Sequence, residues 1–558
     1  MTISKTYVPW SGPDSKILFV GEAPGAAEES ERLPFVGESG KLLTSCLLRN
    51  GLQRDEVKLA NLSHYRPLNN KFEELLGTDE LKEGIAQLYS YILAVRPNVI
   101  VPLGNYPLKY LTGKIGISRY RGSILPFVGD QSIKVIPTYH PSYVLRDRSS
   151  YPIFDIDVRR AISDSKFPEF NIPIREYIIE PSGLELEEIT QNLCLCERIS
   201  VDIETVKGST HILCVGFSPQ PNLGVCLTPQ NADIQIRRIL ESHAKKIFHF
   251  GTFDILQLEA NGYIVNNYWW DTLTAQHAMN PELPRGLDFL TSIYTRQPYY
   301  KKEGRGELPS DTKAWSMREN KQDVYIYNCK DVCVTMEIQL RQEEEMDHVD
   351  RATFDFEMSE FPLVKSISQN GLLRDEERVQ ILKNELRKKW ARKQWALNQL
   401  CRRDVNVRST MLKGILYEYF KLPVKKNRAG GITTDEDAIV SLIGYCKDQQ
   451  GKMKSDAGKL DWEIKLTVCK LILEIRGFRQ LLSNYINKSV SEDGRIHSTY
   501  KHAVVETGRW SCEKFVDGSG INAQTVPREA IEITSEGQEA VIVEEEEEEE
   551  EEVENVLD

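Results

Sequence analysis

Residues 198–206 read RISVDIETV, an apolar, strand-like run that carries two acids, Asp202 and Glu204. Because alternate side chains of a strand point the same way, these two carboxylates emerge on one face, while Val201 and Ile203 face the opposite layer. Two like charges in one place repel each other unless a cation lies between them. Ligands that are all oxygen suit a hard ion, so this stretch predicts a site for Mg²⁺ or Mn²⁺ on a buried strand.

Two later segments supply further groups for such a site. Asp254 lies in IFHFGTFDILQL, after a predicted strand and a short turn, from where it can reach the end of the first strand. Tyr327 and Asp331 are four residues apart in VYIYNCKDVCVTMEI and therefore share one face of a predicted helix. The order D-x-E, then D, then Y-x3-D resembles the DEDD-type 3'-5' exonucleases in their tyrosine-containing form, as in the proofreading domain of a DNA polymerase.

This resemblance implies an RNase H-like exonuclease unit, which we place at residues 169–345, with two divalent ions at its centre. It also assigns roles to five side chains. The inner metal ligands would be Asp202, Glu204 and Asp331. Asp254 would hold the second ion directly or through water, and Tyr327 would orient the water. Phe250 departs from the pattern, since many relatives carry Asn there. The alternative is that each acid is an ordinary surface or capping residue.

A second α/β pattern precedes this unit. Residues 1–168 alternate strand-like runs (KILFVG, VKLANL, NVIVPLG, IKVIPTYH) with helical stretches, which predicts a layered α/β/α domain with a largely parallel sheet. GEAPG at 21–25 follows the first strand directly, and a glycine-rich turn there often binds phosphate. Together with LPFVGESGKLL at 33–43, the stretch around Asn61 and TYHPSYVLR at 138–146, it resembles the uracil-DNA glycosylase superfamily, closest to its iron-sulfur-containing branch.

The resemblance to glycosylases implies a pocket for a flipped-out base. In that pocket Phe35 would stack on the base and Asn61 would read its edge. His140 would stabilise the departing anion, and Glu22 would place the attacking water. Each residue also has a purely structural interpretation: Phe35 as a core residue, His140 as a hydrogen-bonded histidine beside a proline, and Glu22 as a turn residue.

The first domain departs from that branch in its cysteines. The branch holds its cluster with four cysteines, two near the N-terminus, one before an Arg-Pro pair and one further on. This domain has only Cys46, and Tyr65 stands before Arg66-Pro67. We therefore expect no iron-sulfur cluster, and the domain is open to two interpretations, one catalytic and one as a binding or assembly module.

The third part of the chain, residues 346–528, reads as helical. Its elements G-R-I-H at 494–497, T-G-R-x-S at 507–511 and N-x-Q-x-x-P-R at 522–528 resemble the thumb and the start of the palm of family A DNA polymerases. The resemblance implies that Arg509 reaches the DNA minor groove near the primer end. No D-x-S-x-x-E element follows, so we expect no polymerisation by this chain alone.

The acidic net charge does not exclude a nucleic-acid partner, because its distribution along the chain matters more than its sum. The net charge is -13, but residues 529–558 carry fifteen acids and no Lys or Arg, and without them the formal charge is +2. We expect this acidic tail to be disordered, either as a contact to a partner or as a solvated end.

The 11 cysteines are scattered, and there is neither a secretory signal nor a run of about 18 apolar residues. These observations favour a location in the cytoplasm, which would be that of a host cell if the protein is phage-encoded.

The order of the three parts resembles certain bacteriophage polymerases and gives one leading hypothesis. The chain is expected to be an N-terminal subunit or fragment of a phage family A polymerase that binds primer-template DNA and single-stranded 3' ends. A second chain would carry the palm and fingers, and no membrane partner is expected. The alternatives are a stand-alone uracil-DNA repair enzyme and a non-catalytic adaptor that tethers a separate palm chain.

Overall fold

The computed structural model describes residues 3–301, 321–408, 410–427, 430–491 and 493–526. These residues form two compact units, one made of Met1–Lys365 with Lys501–Ser511, the other of Ser366–Tyr500 with the residues from Cys512 onward. The first two predicted domain boundaries, after residues 168 and 345, fall inside the first unit and stay predictions. The predicted acidic tail, 529–558, and Arg528 lie outside the described residues.

The first sheet has five strands in the order β2-β1-β3-β5-β4. Its strands are β1 (Ile17–Gly21), β2 (Lys58–Asn61), β3 (Val99–Pro102), β4 (Leu125–Phe127) and β5 (Asp130–Val135). The helices of this domain are α1 (Ala26–Glu31), α2 (Glu38–Arg49), α3 (Asp79–Val95), α4 (Asn105–Thr112), α5 (Ile117–Tyr120), α6 (Pro141–Arg146) and α7 (Tyr151–Asp164). The predicted parallel strands pair in parallel, while the short β4, which the sequence pattern missed, runs antiparallel to β5.

The second sheet has six strands in the order β11-β10-β7-β8-β9-β6. Its strands are β6 (Glu176–Ile179), β7 (Arg198–Thr205), β8 (Ile212–Gln220), β9 (Leu223–Leu227), β10 (Lys245–Phe248) and β11 (Tyr268–Asp271). The helices around it are α8 (Gly183–Leu195), α9 (Pro229–Glu241), α10 (Gly251–Ala260), α11 (Thr272–Met279), α12 (Leu287–Tyr294), α13 (Lys321–Glu345) and α14 (His348–Asn370). With two mixed sheets flanked by helices, the predicted multidomain α/β class is confirmed.

One predicted connector is partly wrong. The prolines between residues 165 and 185 suggest a linker, but Glu176–Ile179 adds the edge strand β6, which pairs in parallel with β9. Four residues are too few to show a clear alternation of apolar and polar side chains, so only the pairing with β9 reveals this strand. The central strand β7 matches its prediction, because its buried apolar positions alternate with the two acids.

The second unit is mainly helical. Its elements are β12 (Leu372–Leu373), α15 (Glu376–Cys401), α16 (Met411–Lys413, continued by a π-helical turn to Tyr419), α17 (Glu436–Lys452), α18 (Asp456–Leu481, continued to Ile486), β13 (Arg495–Ile496), β14 (Ser498–Lys501) and β15 (Ser511–Lys514). The helical pattern predicted for residues 346–528 is interrupted at Gly371, whose φ of +60° suits glycine. Within the described ranges, no helix combines the length and apolar character needed to cross a membrane.

Candidate functional site

Three acids from distant parts of the chain meet at the centre of the second sheet. One carboxylate oxygen from each of Asp202, Glu204 and Asp331 lies within 4.8 Å of the other two. Asp202 and Glu204 project from β7, and Asp331 comes from α13, which packs on the same sheet. The predicted trio of inner ligands is therefore brought together.

A glycine on the neighbouring strand allows helix α13 to approach these acids closely. Gly216 of β8 pairs with Asp202, and a Cβ at this glycine would lie 2.3 Å from Oδ1 of Asn328. Asn328 uses its amide to donate to Asp202 Oδ2 at 2.8 Å. The helix residue thus fixes one carboxylate of the trio, a contact that the sequence spacing alone did not predict.

Asp254 lies in the first turn of α10 and is 6% exposed. Its Oδ1 accepts a hydrogen bond from the backbone N–H of Ile203 at 3.1 Å. It therefore reaches β7, as predicted, but it stands outside the close trio. Asp254 therefore lies beside the three clustered acids and not among them.

Tyr327 and Asp331 both contact a lysine that the sequence analysis did not single out. Lys301 Nζ donates to the hydroxyl of Tyr327 at 2.9 Å and to Oδ2 of Asp331 at 2.6 Å. The hydroxyl of the adjacent Tyr300 donates to Oδ1 of Asp331 at 2.5 Å. No spacing to the acids marks Tyr300 and Lys301 in the sequence, because they lie in irregular chain about thirty residues before Asp331.

Burial and mutual repulsion shape the charges at this site. Burial first, and then the charge of Asp331, raises the pKa of Asp202 to about 8. Burial and the nearby Asp202 likewise hold the pKa values of Glu204 and Asp254 well above the usual range. A cluster that resists ionising by itself is stabilised in its charged form by cations, and its all-oxygen donor set fits Mg²⁺ or Mn²⁺.

The turn before α10 is held by Asp271, a residue outside the motif positions. Its carboxylate accepts from the backbone N–H groups of Phe250 at 3.1 Å and Gly251 at 2.6 Å. The same side chain caps α11 by accepting from the backbone N–H groups of Leu273 and Thr274. Phe250, the departure from the exonuclease pattern, adopts a left-handed φ of +63° in this turn.

The first domain contains a cavity of about 400 Å³ between the GEAPG turn and the start of α6. All four predicted pocket residues line it: Glu22, Phe35, Asn61 and His140. A Cβ at Gly21 would lie 2.4 Å from Asn61 Oδ1 and 2.6 Å from Phe35 Cζ, so both side chains close over this glycine. The four residues therefore form one site.

Burial alters the two titratable groups of this cavity in opposite directions. It raises the pKa of Glu22 to about 7 and lowers the pKa of His140 to about 4. Nδ1 of His140 lies 2.8 Å from the hydroxyl of Ser142 and accepts from the backbone N–H of that residue at 3.1 Å. At neutral pH the imidazole is therefore uncharged, and the carboxyl group of Glu22 can exchange its proton.

Two family models match the chain. The one described as the uracil DNA glycosylase superfamily matches residues 8–163, and the one described as a 3'-5' exonuclease matches residues 181–347. The type-4 uracil-DNA glycosylase of Thermotoga maritima is 39% identical over 140 residues, which make up 25% of this chain and 70% of that protein. Through its N-terminal domain, the chain belongs to the uracil-DNA glycosylase superfamily.

The second domain is a 3'-5' exonuclease domain of the family A polymerase type. The DNA polymerase of Bacillus phage SP01 is 29% identical over 214 residues, which make up 37% of this chain but only 22% of that polymerase. A solved structure, the POL domain of Pol1 from M. smegmatis in complex with DNA primer-template and dNTP, matches with a TM-score of 0.42 and 18% identity. That match covers 63% of this chain and 56% of the solved one.

The glycosylase-like domain has an aromatic side chain, that of Tyr65, at the position before Arg66-Pro67 where the iron-sulfur branch carries cysteine. Tyr65 packs edge-on against Tyr7, whose ring stacks on His64 with centroids 4.5 Å apart. The domain's one cysteine, Cys46, is buried and donates to Asp155 at 3.5 Å. A site built from four thiolates does not fit these residues.

Arg509 lies in the first unit, directly after Gly508, whose φ is +71°. Its side chain is exposed. The neighbouring Trp510 donates its indole N–H to Glu360 at 3.2 Å, so the T-G-R-x-S element is held against α14. The predicted DNA contact of Arg509 stays a prediction.

Proposed function

We propose that the exonuclease domain removes nucleotides from the 3' ends of DNA with two divalent ions, and that it proofreads for a family A polymerase. The observation that carries this proposal is the approach of Asp202, Glu204 and Asp331 to within 4.8 Å, with Tyr327 one helical turn before Asp331. Carboxylates gathered in this way can hold two metal ions that stabilise the attacking and leaving oxygens of phosphodiester cleavage, and a tyrosine beside them can orient the attacking water.

Each of these side chains has a specific task in the proposal. The ions would be held by Asp202, Glu204 and Asp331, with Asp254 beside them, and they would supply charge stabilisation at the scissile phosphate. The phenol of Tyr327 orients the attacking water. Burial keeps the pKa of this phenol above its usual range, so the hydroxyl stays protonated and can donate a hydrogen bond at neutral pH.

A digestion assay tests the nuclease assignment. A 5'-labelled primer, single-stranded or with a mismatched 3' end, is incubated with the protein and Mg²⁺ or Mn²⁺. We expect stepwise shortening by the unaltered protein and none by the double variant Asp202→Ala/Glu204→Ala. The matched control, Glu185→Ala/Glu188→Ala, removes two exposed acids of α8 and should digest normally. Digestion by the Asp202 double variant at the normal rate would contradict the assignment.

The proposed substrate implies a DNA partner. Primer-template binding is measured by fluorescence anisotropy, and Arg509→Ala should weaken it and reduce the salt dependence, because one phosphate or groove contact is lost. A second chain with a polymerase palm and fingers, like a cytoplasmic location, stays a prediction, and co-purification tests for that chain. The adaptor hypothesis would gain support if such a chain co-purified and the digestion assay were negative.

A second activity, excision of uracil, is favoured by the intact set of four pocket residues. Glu22 and His140 approach each other at Gly104, where a Cβ would lie 3.2 Å from Glu22 Oε1 and from His140 Cβ. An oligonucleotide with a single uracil, followed by alkaline cleavage, reports this activity. We expect cleavage by the unaltered protein and none by Asn61→Ala, and absence of product from folded, unaltered protein would refute this activity.

A further inference from the structure

The chain that leads into the exonuclease site is attached to the glycosylase-like domain. Ser292, at the end of α12, accepts from Arg121 at 2.9 Å. The guanidinium of Arg296 donates to both carboxylate oxygens of Asp164 at 3.1 and 2.5 Å. The backbone N–H of Tyr299 donates to Ser123 at 3.2 Å. We call residues 292–299 the bracing segment, because each of these contacts crosses to the first domain.

The two residues that follow the bracing segment enter the exonuclease site. Tyr300 donates to one oxygen of Asp331, and Lys301 donates to the other oxygen and to Tyr327. Both side chains are buried, with exposed fractions of 2% for Tyr300 and 8% for Lys301. The position of the lysine ammonium is thus set by two acceptors at the site and by a backbone that is fixed immediately before it.

We propose that Lys301 is a positioning residue of the exonuclease site, and that the glycosylase-like domain holds it there through the bracing segment. This inference rests on the proposed nuclease function. Lys301 fixes the hydroxyl of Tyr327 relative to Asp331, so the tyrosine that orients the water and the acid that holds the ion keep one geometry. The glycosylase-like domain therefore contributes to exonuclease activity whether or not its own pocket is active.

The physical reason lies in the flexibility of a lysine side chain. The ammonium of a lysine lies at the end of a flexible four-carbon chain. It takes a defined position only when the backbone of the residue is fixed and the ammonium is paired. Arg296 supplies the backbone support, since its guanidinium also donates to the carbonyl of Phe170 at 3.1 and 2.7 Å. Its partner Asp164 also accepts from Lys134 at 3.3 Å, so this anchor remains paired when Arg296 is changed.

Steady-state digestion of single-stranded DNA tests the role of Lys301. Lys301→Met should lower kcat roughly 10- to 100-fold with KM changed by less than about 3-fold, because a misplaced group affects the reaction more than substrate binding. Lys301→Arg, which keeps the positive charge and the donors, should recover most of the loss. If Lys301→Met digests at the normal rate, or if the arginine variant is as slow as the methionine variant, the inference is wrong.

A double-mutant cycle tests the brace. Arg296→Met should lower kcat about 3- to 10-fold by itself but cause no further loss in a Lys301→Met background, since it acts through Lys301. The milder Arg296→Lys keeps the charge and should give a smaller loss if the methionine variant folds poorly. The matched control is Arg66→Met, which breaks the Arg66–Glu29 pair inside the glycosylase-like domain and should leave kcat unchanged.

The outcomes separate this inference from the proposed function. If the unaltered protein shows no metal-dependent digestion, the nuclease function fails, and the inference fails with it. If digestion requires Asp202 and Glu204 but Arg296→Met lowers kcat equally with and without Lys301, the nuclease stands and the brace does not act through Lys301. Loss of kcat in Arg66→Met to the same extent as in Arg296→Met would also refute the brace.

Discussion

The carboxylate of Asp254 is hydrogen-bonded to the backbone N–H of Ile203, the strand residue that lies between Asp202 and Glu204. This bond ties helix α10 to the point of β7 where the two acids emerge. Asp254 therefore has two separable properties, an acceptor oxygen that fixes the strand and a negative charge in an acidic cluster. An amide substitution removes the second and keeps the first.

We predict that Asp254→Asn and Asp254→Ala differ in stability but not in activity. Both variants should lose roughly 10- to 100-fold in exonuclease kcat, because the acid that would support the proposed metal site is gone. Asp254→Asn retains an acceptor for Ile203, whereas Asp254→Ala leaves a buried N–H unpaired and should be less stable by about 1–3 kcal/mol. Urea unfolding in the presence of a chelator measures the difference.

Two results would contradict the prediction for the Asp254 variants. Equal stability of the two Asp254 variants would show that the bond to Ile203 contributes little to the free energy of unfolding. Normal digestion by Asp254→Asn would show that the charge of this acid is not needed, and Asp254 would then be structural only.

Some residues of the exonuclease site can be predicted from local sequence patterns, and others cannot. Asp202 and Glu204 were predictable from strand alternation, and Tyr327 with Asp331 from helical spacing, because each pair lies within one regular element. Lys301 was not predictable in this way. Its neighbours at the site come from another element, and its position depends on contacts of the bracing segment that have no local period.

The fold shows the same division. Strands with several buried apolar residues, such as β1 and β7, lie near the places that the sequence predicts, because consecutive residues show whether one face or both faces of the strand are buried. The edge strand β6 lies in a stretch whose prolines predict a linker, and its four residues gain backbone partners from β9. Local sequence patterns do not show which distant segment a strand pairs with.

Glu22 should make the stability of the protein depend on pH. The folded protein holds its proton up to about pH 7, whereas the unfolded chain releases it near 4.5. The folded state therefore binds more protons between these pH values, and the contribution of Glu22 to stability falls as the pH rises through that window. His140 acts in the opposite direction between about 4 and 6.5, since burial lowers its pKa.

The variant Glu22→Gln isolates the first effect, because His140 is common to both proteins. We expect the two proteins to unfold alike at about pH 4 and the variant to become more stable by roughly 1–2 kcal/mol at pH 7, after allowance for solvent screening. Urea titrations at several pH values measure this difference. A difference that does not change with pH would contradict the raised pKa.

Two glycine-to-alanine substitutions should have opposite effects. Gly21→Ala places a methyl group against Asn61 and Phe35 and should cost about 1–3 kcal/mol, together with any activity of the pocket. Gly444 lies exposed inside α17 with no atom within 4 Å of an added Cβ. Gly444→Ala should therefore stabilise its helix by about 0.5–1 kcal/mol. If Gly21→Ala is as stable as the unaltered protein, the pocket has room for the methyl group beside Asn61 and Phe35.

The last prediction concerns the buried ion pair between Arg121 and Asp157. Arg121 is 3% exposed and Asp157 is 1% exposed, and Nε of the arginine lies 2.8 Å from Oδ2 of the acid. Thr138 donates to the same Oδ2 at 2.9 Å. Arg121→Met should destabilise the protein by about 3–5 kcal/mol, because it leaves a buried carboxylate whose remaining donor, Thr138, is neutral.

Most of that loss comes from the unpaired buried charge and not from the attraction within the pair. Removing the charge should therefore recover part of the lost stability. The double variant Arg121→Met/Asp157→Asn should therefore be more stable than Arg121→Met alone by roughly 1–3 kcal/mol. Urea unfolding of the four proteins of this cycle measures the coupling. If the two substitutions simply add, Arg121 and Asp157 contribute to stability independently, and the expected coupling within the buried pair is refuted.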